Sequence, residues 1–322
     1  MSVDRVVEIA GDNRHLATER GFMVVRECGE ELGRVPLDDI AAVIANAHGL
    51  TYSNNLLVRL AERGTPMVLC GANHAPAGLL WAVDGYHTQS ARIDAQLSVK
   101  RPKAKRLWQQ LVQAKISNQA ATLQAIGAVH APVEKLAEQV KSGDSDNMEG
   151  QAARRYWPLI FGPNFRRDHA GGGSNAMLNY GYTVLRACVA RAIMAAGLHP
   201  GIGIHHRNAY NAMRLVDDVM EPYRPYVDFI VYQLVQQEHE DVTPDVKAEL
   251  AGLGEMAVTM ADGVYPLRRA VQKTGTTLAK VYEAGGKNNL ALPLANPPLW
   301  QAQETGHATF ERAQTDVDDG DV

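Results

Sequence analysis

Cysteine is scarce in this chain of 322 residues: Cys28, Cys70 and Cys188 are three, and they lie far apart. An odd, sparse set builds neither a disulfide framework nor a zinc ribbon, and it fits a reducing compartment. Long apolar runs are missing too. No uninterrupted stretch approaches the ~18 residues that a spanning helix needs. The start, MSVDRVVEIAGDNR, carries charge from its fourth residue. Neither a secretory leader nor a membrane contact is therefore expected, and the expected compartment is the cytoplasm. A large charge of one sign is absent as well. The net charge of −4 argues against a uniformly basic nucleic-acid coat but leaves room for a local basic patch. What is present is ordinary globular material, 46% apolar and 21% charged. That supports a packed core, and the length suggests two domains at ~150 residues each.

Charge is unevenly spread. Residues 301–322 hold Glu304, Glu311, Asp316, Asp318, Asp319 and Asp321 against Arg312 alone, so this end sums to −5 and the remainder to +1. It has no apolar periodicity and reads as a flexible acidic tail. Residues 97–115 are the reverse, with Lys100, Arg101, Lys103, Lys105, Arg106 and Lys115 and no acid. A second basic group is Arg154, Arg155, Arg166 and Arg167, beside Asp168. Each cluster is either a solvated helix face or a contact to a phosphate backbone, where cationic side chains release counterions.

Periodicity divides the chain near residues 85–90. Before it, RVVEIA (5–10), HLATE (15–19), FMVVRE (22–27), ELGRVPL (31–37) and PMVLC (66–70) read as strands, punctuated by Gly11-Asp12-Asn13, Gly21 and Gly29. IAAVIA (40–45) fits a buried strand or a short helix. Ser53 before Leu56, Leu57 and Leu60 reads as a capped helix ending near Gly64. After residue 86 helical spacing dominates. Residues 90–128 carry one helix or two, with Pro102 at a break or a first turn. Further helices are expected over 132–141, 148–161, from Ser174 to Gly197, 210–235 and 244–284. The expected fold is α+β: a β-rich domain over 1–85, an all-α domain over 86–300 and the tail from 301.

The densest chemistry lies in Gly201-Ile-Gly-Ile-His205-His206 and the following Asp217-Asp218-Val-Met-Glu221-Pro-Tyr-Arg224-Pro. If the segment from Asn211 is helical, Asn211, Arg214, Asp218 and Glu221 share one face. Asp217 also reaches Glu221 at i+4. Three carboxylates within five residues repel unless a cation sits among them. Arg214 and Arg224 supply one answer. A divalent metal joined by a histidine is the other, and an imidazole with two carboxylates suits manganese or magnesium better than zinc. Glu149, in Asn147-Met-Glu149-Gly-Gln-Ala-Ala-Arg154-Arg155-Tyr156-Trp157, is either a third ligand or a first-turn acid favoured by the helix dipole.

These motifs, together with Asn175-Ala-Met-Leu-Asn-Tyr-Gly-Tyr182, resemble the integrase of CRISPR adaptation, CRISPR-associated protein one. The likeness spans nearly the whole chain. The Gly-Ile-His-His form and the length look most like the type II branch. The resemblance implies a divalent-metal-dependent DNA endonuclease and integrase using Mg2+ or Mn2+. It places the metal and catalytic positions on Glu149, His206 and Glu221, with His205 and Asp218 as second choices. Relatives often carry aspartate where Glu221 stands. The implied chemistry is attack of a 3′ hydroxyl of an incoming fragment on a repeat phosphodiester, so no protein nucleophile is needed.

The implied partners are double-stranded DNA (incoming fragment and repeat array), a second copy of the chain, a dimer of CRISPR-associated protein two, and the effector nuclease. Dimer and partner contacts fall to the β-rich domain. Lys100, Arg101, Lys103, Lys105, Arg106, Arg154, Arg155, Arg166 and Arg167 are the expected DNA contacts. Trp157, Tyr180 and Tyr182 fit base stacking or, as the preferred reading, core packing. Two alternatives remain open: a non-catalytic DNA-binding scaffold of the same fold, and a metal-dependent phosphodiesterase acting on small nucleotides.

Overall fold

The computed structural model describes residues 5–71, 76–80, 82, 89–283 and 289–296. The domain boundary expected at residues 85–86 and the acidic tail from 301 both lie outside these residues.

The N-terminal half holds β1 (Arg5–Ile9), β2 (His15–Glu19), β3 (Phe22–Glu27), β4 (Glu30–Pro36), β5 (Ile40–Ala45), β6 (Thr51–Tyr52), α1 (Asn54–Glu62), β7 (Met67–Cys70) and β8 (Pro76–Leu80). They form two four-stranded sheets, ordered β1-β5-β7-β8 and β4-β3-β2-β6. In the first, β1, β5 and β7 run parallel and β8 antiparallel. The second is an antiparallel meander with β6 added in parallel to β2. Both hairpins of the meander turn through residues with positive φ, Arg20-Gly21 and Cys28-Gly29, which matches the twist of the flanking strands. The sheets and α1 share one core, built from Leu16, Met23 and Val25 on one side, Ile9, Val43 and Met67 on the other, and Leu56 and Leu60 between. Ser53 caps α1 as its position suggests, Oγ accepting from Leu56 N–H at 3.3 Å.

The ambiguous segment 40–45 is strand β5, and its apolar run has a plain cause. Val43 and Ala45 face the core of the sheets. Ala42 and Ile44 face the helical half, where Ala42 packs with Val68 and Ala187. A strand covered on both faces shows no alternation.

The helical half comprises α2 (Gln89–Leu97), α3 (Arg101–Ala125), α4 (Ala131–Gln139), α5 (Met148–Phe161), α6 (Ser174–Ala195), α7 (Arg214–Met220), α8 (Arg224–Gln236), α9 (Pro244–Ala251) and α10 (Leu267–Glu283). Pro102 occupies the first turn of α3. Three local readings change. Ser174 does not cap α6: the flanking residue is Gly173, with φ +58°, and no side chain closes that end. The helical stretch expected from about 210 starts at Arg214 and is two helices joined by a 3-10 turn at Glu221–Tyr223. Within 244–284, β9 (Ala257–Met260) and β10 (Gly263–Pro266) form an antiparallel hairpin. Its Val258 and Met260 alternate into the core.

Helix α6 runs through the middle of this half, buried along most of its length. Gly181 lets α8 come close, since a Cβ there would lie 2.5 Å from Val227 Cγ1. Glu8 of β1 ties the halves together. It accepts from Asn46 at 2.7 Å and Tyr180 of α6 at 2.7 Å, and pairs with Lys247 of α9 at 3.2 Å. Among the described residues no helix is long and apolar enough to cross a membrane.

Candidate metal centre

Glu149 stands in the first turn of α5, whose start is closed by side chains. Asp144 accepts from the N–H groups of Met148 (2.8 Å) and Glu149 (3.1 Å), and Asn147, at φ +53°, accepts from Gly150 (3.1 Å). These caps satisfy donors that a helix start leaves open. The Glu149 carboxylate is thereby left for another partner. That partner is Lys115 of α3, whose Nζ donates to Oε1 at 2.6 Å.

The histidine pair lies on a loop wound around one carboxylate. Asp218 of α7 is fully buried. It accepts from the backbone N–H groups of Ile204 (2.6 Å), His205 (3.0 Å) and His206 (3.1 Å). Its Oδ1 also meets His206 Nδ1 at 2.6 Å. Gly203 makes this winding possible, because a Cβ there would lie 2.7 Å from the His206 carbonyl oxygen and 3.0 Å from Asp218 Oδ2. The two imidazoles have different settings. His205 stacks flat on Trp108 of α3, with ring centres 4.2 Å apart and planes at 6°. Burial pushes its pKa below the usual histidine value. The hydrogen bond to Asp218 pushes that of His206 above it.

Glu221 opens the 3-10 turn after α7 and is buried. Its Oε2 lies 2.5 Å from Lys115 Nζ and its Oε1 lies 3.0 Å from Arg224 Nε. Oε2 is enclosed, yet no donor points at it with hydrogen-bond geometry. Burial works to raise the Glu221 pKa, but Arg224 and Lys115 prevail and hold it below the ordinary carboxylate value. Burial likewise works against the charge on Lys115, and Glu221 and Glu149 hold that ammonium above its usual value.

Glu149 and Glu221 are thus brought together on one cation, and His206 flanks them through Asp218 and its electrostatic contact with Glu221. The cation is Lys115. Among the described residues no three His, Cys, Asp or Glu side chains surround a common point closely enough to hold a metal ion. The donor chemistry nevertheless fits Mg2+ or Mn2+: two carboxylates, one with a buried undirected oxygen, and an imidazole whose Nδ1 is anchored to a carboxylate. Asp218 uses both oxygens on the histidine loop. Asp217 does not reach toward Glu221; it pairs with Arg186 of α6 at 2.8 Å and accepts from Asn211 at 2.6 Å.

Sequence reasoning missed Lys115 as part of this site. It sits in the basic run of α3, which reads as a solvated face or a DNA contact, and local spacing carries no sign that it turns inward. Trp108 of α3 and Arg186 of α6 were missed because their partners, His205 and Asp217, are remote along the chain. Arg224 was legible as an ion-pair partner of the acidic cluster.

The aromatic residues follow the packing reading. Tyr182 and Tyr156 donate to the buried Asp228, Tyr180 donates to Glu8, and Trp157 packs with Phe161 and Phe165. Of the basic residues, Lys100, Arg101, Lys105, Arg106, Arg154, Arg155 and Arg166 are exposed. Lys103 is half-buried and donates to the Val281 carbonyl. Arg167 braces the loop before α6 through Asn175 and Asn179 and lies over Tyr182.

A family model described as CRISPR associated protein Cas1 matches residues 7–247. The chain belongs to the Cas1 family. It is similar to the CRISPR-associated endonuclease Cas1 of Neisseria meningitidis serogroup C (strain 8013), 33% identical over 293 residues that make up 90% of this chain and 94% of the relative. In fold it is similar to a casposase bound to integration product, with a TM-score of 0.73 at 17% identity, covering 89% of this chain and 92% of the other. It also resembles a chain of a Cas6-RT-Cas1–Cas2 complex, with a TM-score of 0.67 at 18% identity, covering 88% of this chain and 35% of that longer one.

Proposed function

We propose that this family member is a metal-dependent DNA endonuclease and integrase of CRISPR adaptation in which Glu149, His206 and Glu221 hold Mg2+ or Mn2+. The observation that carries the reading is the meeting of Glu149 and Glu221 on one buried cation beside an imidazole anchored by Asp218. The family and the curated endonuclease relative supply the reaction class. When bound, the divalent ion supplies neutralisation of charge on a phosphodiester and a lowered pKa for the attacking hydroxyl. Asp218 fixes the imidazole by Nδ1 and leaves Nε2 for the centre. Arg224 restrains Glu221 through Oε1, the oxygen that Lys115 does not touch. His206 is preferred to His205, whose ring lies flat on Trp108.

The reaction is transesterification: a 3′ hydroxyl of the incoming fragment forms a bond to a repeat phosphorus as the repeat 3′ oxygen leaves. Water in place of that hydroxyl gives cleavage. The exposed cations of α3 and α5 follow the DNA backbone, which gives salt-dependent, largely sequence-independent binding. The casposase bound to its integration product and the Cas1–Cas2 assembly support double-stranded DNA and CRISPR-associated protein two as partners. A second copy of the chain and the effector nuclease complete the partner set, with dimer and partner contacts on residues 1–85. We read the system as type II.

Purified protein with its partner and Mn2+ is expected to join a labelled fragment to a supercoiled plasmid carrying repeats. Glu149→Ala and Glu221→Ala are each expected to abolish joining while DNA binding persists. DNA binding by wild-type protein without any joining would identify a scaffold instead. Turnover of mononucleotide diesters would identify a phosphodiesterase.

A further inference from the structure

Resting on that reading of the site, we propose that Lys115 is a placeholder cation: its ammonium bridges Glu149 and Glu221 when no metal is bound and withdraws when a divalent ion enters. Metal binding in this protein is then an exchange of one cation for another, and Lys115 sets the concentration at which it happens.

Three observations carry this. First, Lys115 Nζ touches both proposed metal carboxylates, at 2.6 Å and 2.5 Å, and so stands where an ion shared by them would stand. An ammonium and a dication cannot occupy that space together. Second, the two cations around Glu221 are held differently. Arg224 lies over the face of Tyr182 at 4.7 Å, and its planar guanidinium has few ways to leave. Lys115 carries a point charge on a flexible four-carbon stem. Third, its grip is uneven in geometry. It donates an aligned hydrogen bond to Glu149 at 2.6 Å, whereas its 2.5 Å contact with Glu221 Oε2 is an ion pair without that alignment. The arrangement also explains how two carboxylates stay together before metal arrives, since without a cation they would repel in a buried site.

The test is Mn2+ binding followed by calorimetry, with Lys115→Met and Lys115→Gln as parallel variants. Both are expected to bind Mn2+ about tenfold tighter than wild type, within the usual range for coupling between two sites. Without metal both are expected to melt lower, and saturating Mn2+ should close the gap. A second readout needs no variant: acylation of the wild-type Lys115 amine, followed by peptide mass spectrometry, should be slow without metal and faster with Mn2+. Unchanged or weaker Mn2+ affinity in whichever variant folds, or no gain in acylation with metal, overturns the placeholder. Glu149→Ala and Glu221→Ala separate the two levels. If they leave Mn2+ affinity intact, the centre itself is misplaced. If they abolish binding while the Lys115 variants bind as wild type, the centre stands and the placeholder falls.

Discussion

Asp218 holds His206 by its Nδ1 at 2.6 Å while the same carboxylate gathers three consecutive backbone N–H groups. One buried side chain therefore sets both the path of the loop and the orientation of the imidazole. Asp218→Asn removes one acceptor from that set and adds a donor facing donors. Strand joining should fall by about 10- to 100-fold, the usual cost of losing a partner that orients a metal ligand. The fold should lose on the order of 1–3 kcal/mol. Joining rates and urea unfolding of the same preparation check both. Unchanged joining would remove Asp218 from the site.

The two histidines should separate cleanly. His206→Ala is expected to lower joining by at least about 100-fold, comparable to the loss of a general acid–base or metal-ligating group. His205→Ala should chiefly cost its stack on Trp108, about 0.5–1.5 kcal/mol of stability, with a smaller loss of joining. Activity and melting measured on both variants decide it, and the reverse ordering would exchange their roles.

Asp228 gives a pH signature outside the site. It lies fully buried behind Tyr156 and Tyr182, and burial pushes its pKa from 3.8 up to about 6. The folded protein therefore binds this proton more tightly than the unfolded chain does. Ionised Asp228 costs the fold on the order of 3 kcal/mol above the folded value, and the cost is relieved as pH falls from there toward the unfolded value. Wild type should accordingly gain stability relative to Asp228→Asn between pH 7.5 and pH ~4.5. Urea unfolding of the pair across that window measures it, and a flat difference would show that Asp228 does not titrate there.

Glu8 is a mechanical joint between the halves. Tyr180→Phe removes one of its donors without altering packing and should cost about 0.5–1.5 kcal/mol or somewhat more, since the acceptor is charged. Glu8→Gln weakens the pairing with Lys247 as well and should cost more than Tyr180→Phe. Chemical denaturation gives the ordering.

Gly203→Ala should force the histidine loop to shift while leaving the helices in place. The added methyl would press on the His206 carbonyl, Arg214 and Asp218. Circular dichroism close to that of wild type with joining reduced by at least about tenfold is expected, a size consistent with small misplacement of a catalytic group. Full activity would show that the loop tolerates the shift.

Local chemistry was enough to locate most elements. β2, β3 and α5 lie where β-branched runs, turn punctuation and helical spacing put them, because each signal is carried by residues within one element. The short β6 and β8 and the β9–β10 hairpin escaped notice, being too brief for their period to stand out. Segment 40–45 resisted assignment because a strand buried on both faces has no polar side to show.

The motifs drew attention to Glu149, His206 and Glu221, but that Glu149 and Glu221 meet on one cation depends on how α3, α5 and the turn after α7 pack. Lys115 shows the limit most sharply. Among the cations of α3 nothing in its neighbours marks it as different. Packing turns it inward, where it meets two carboxylates remote along the chain, while Arg224 meets Glu221 from within the same segment.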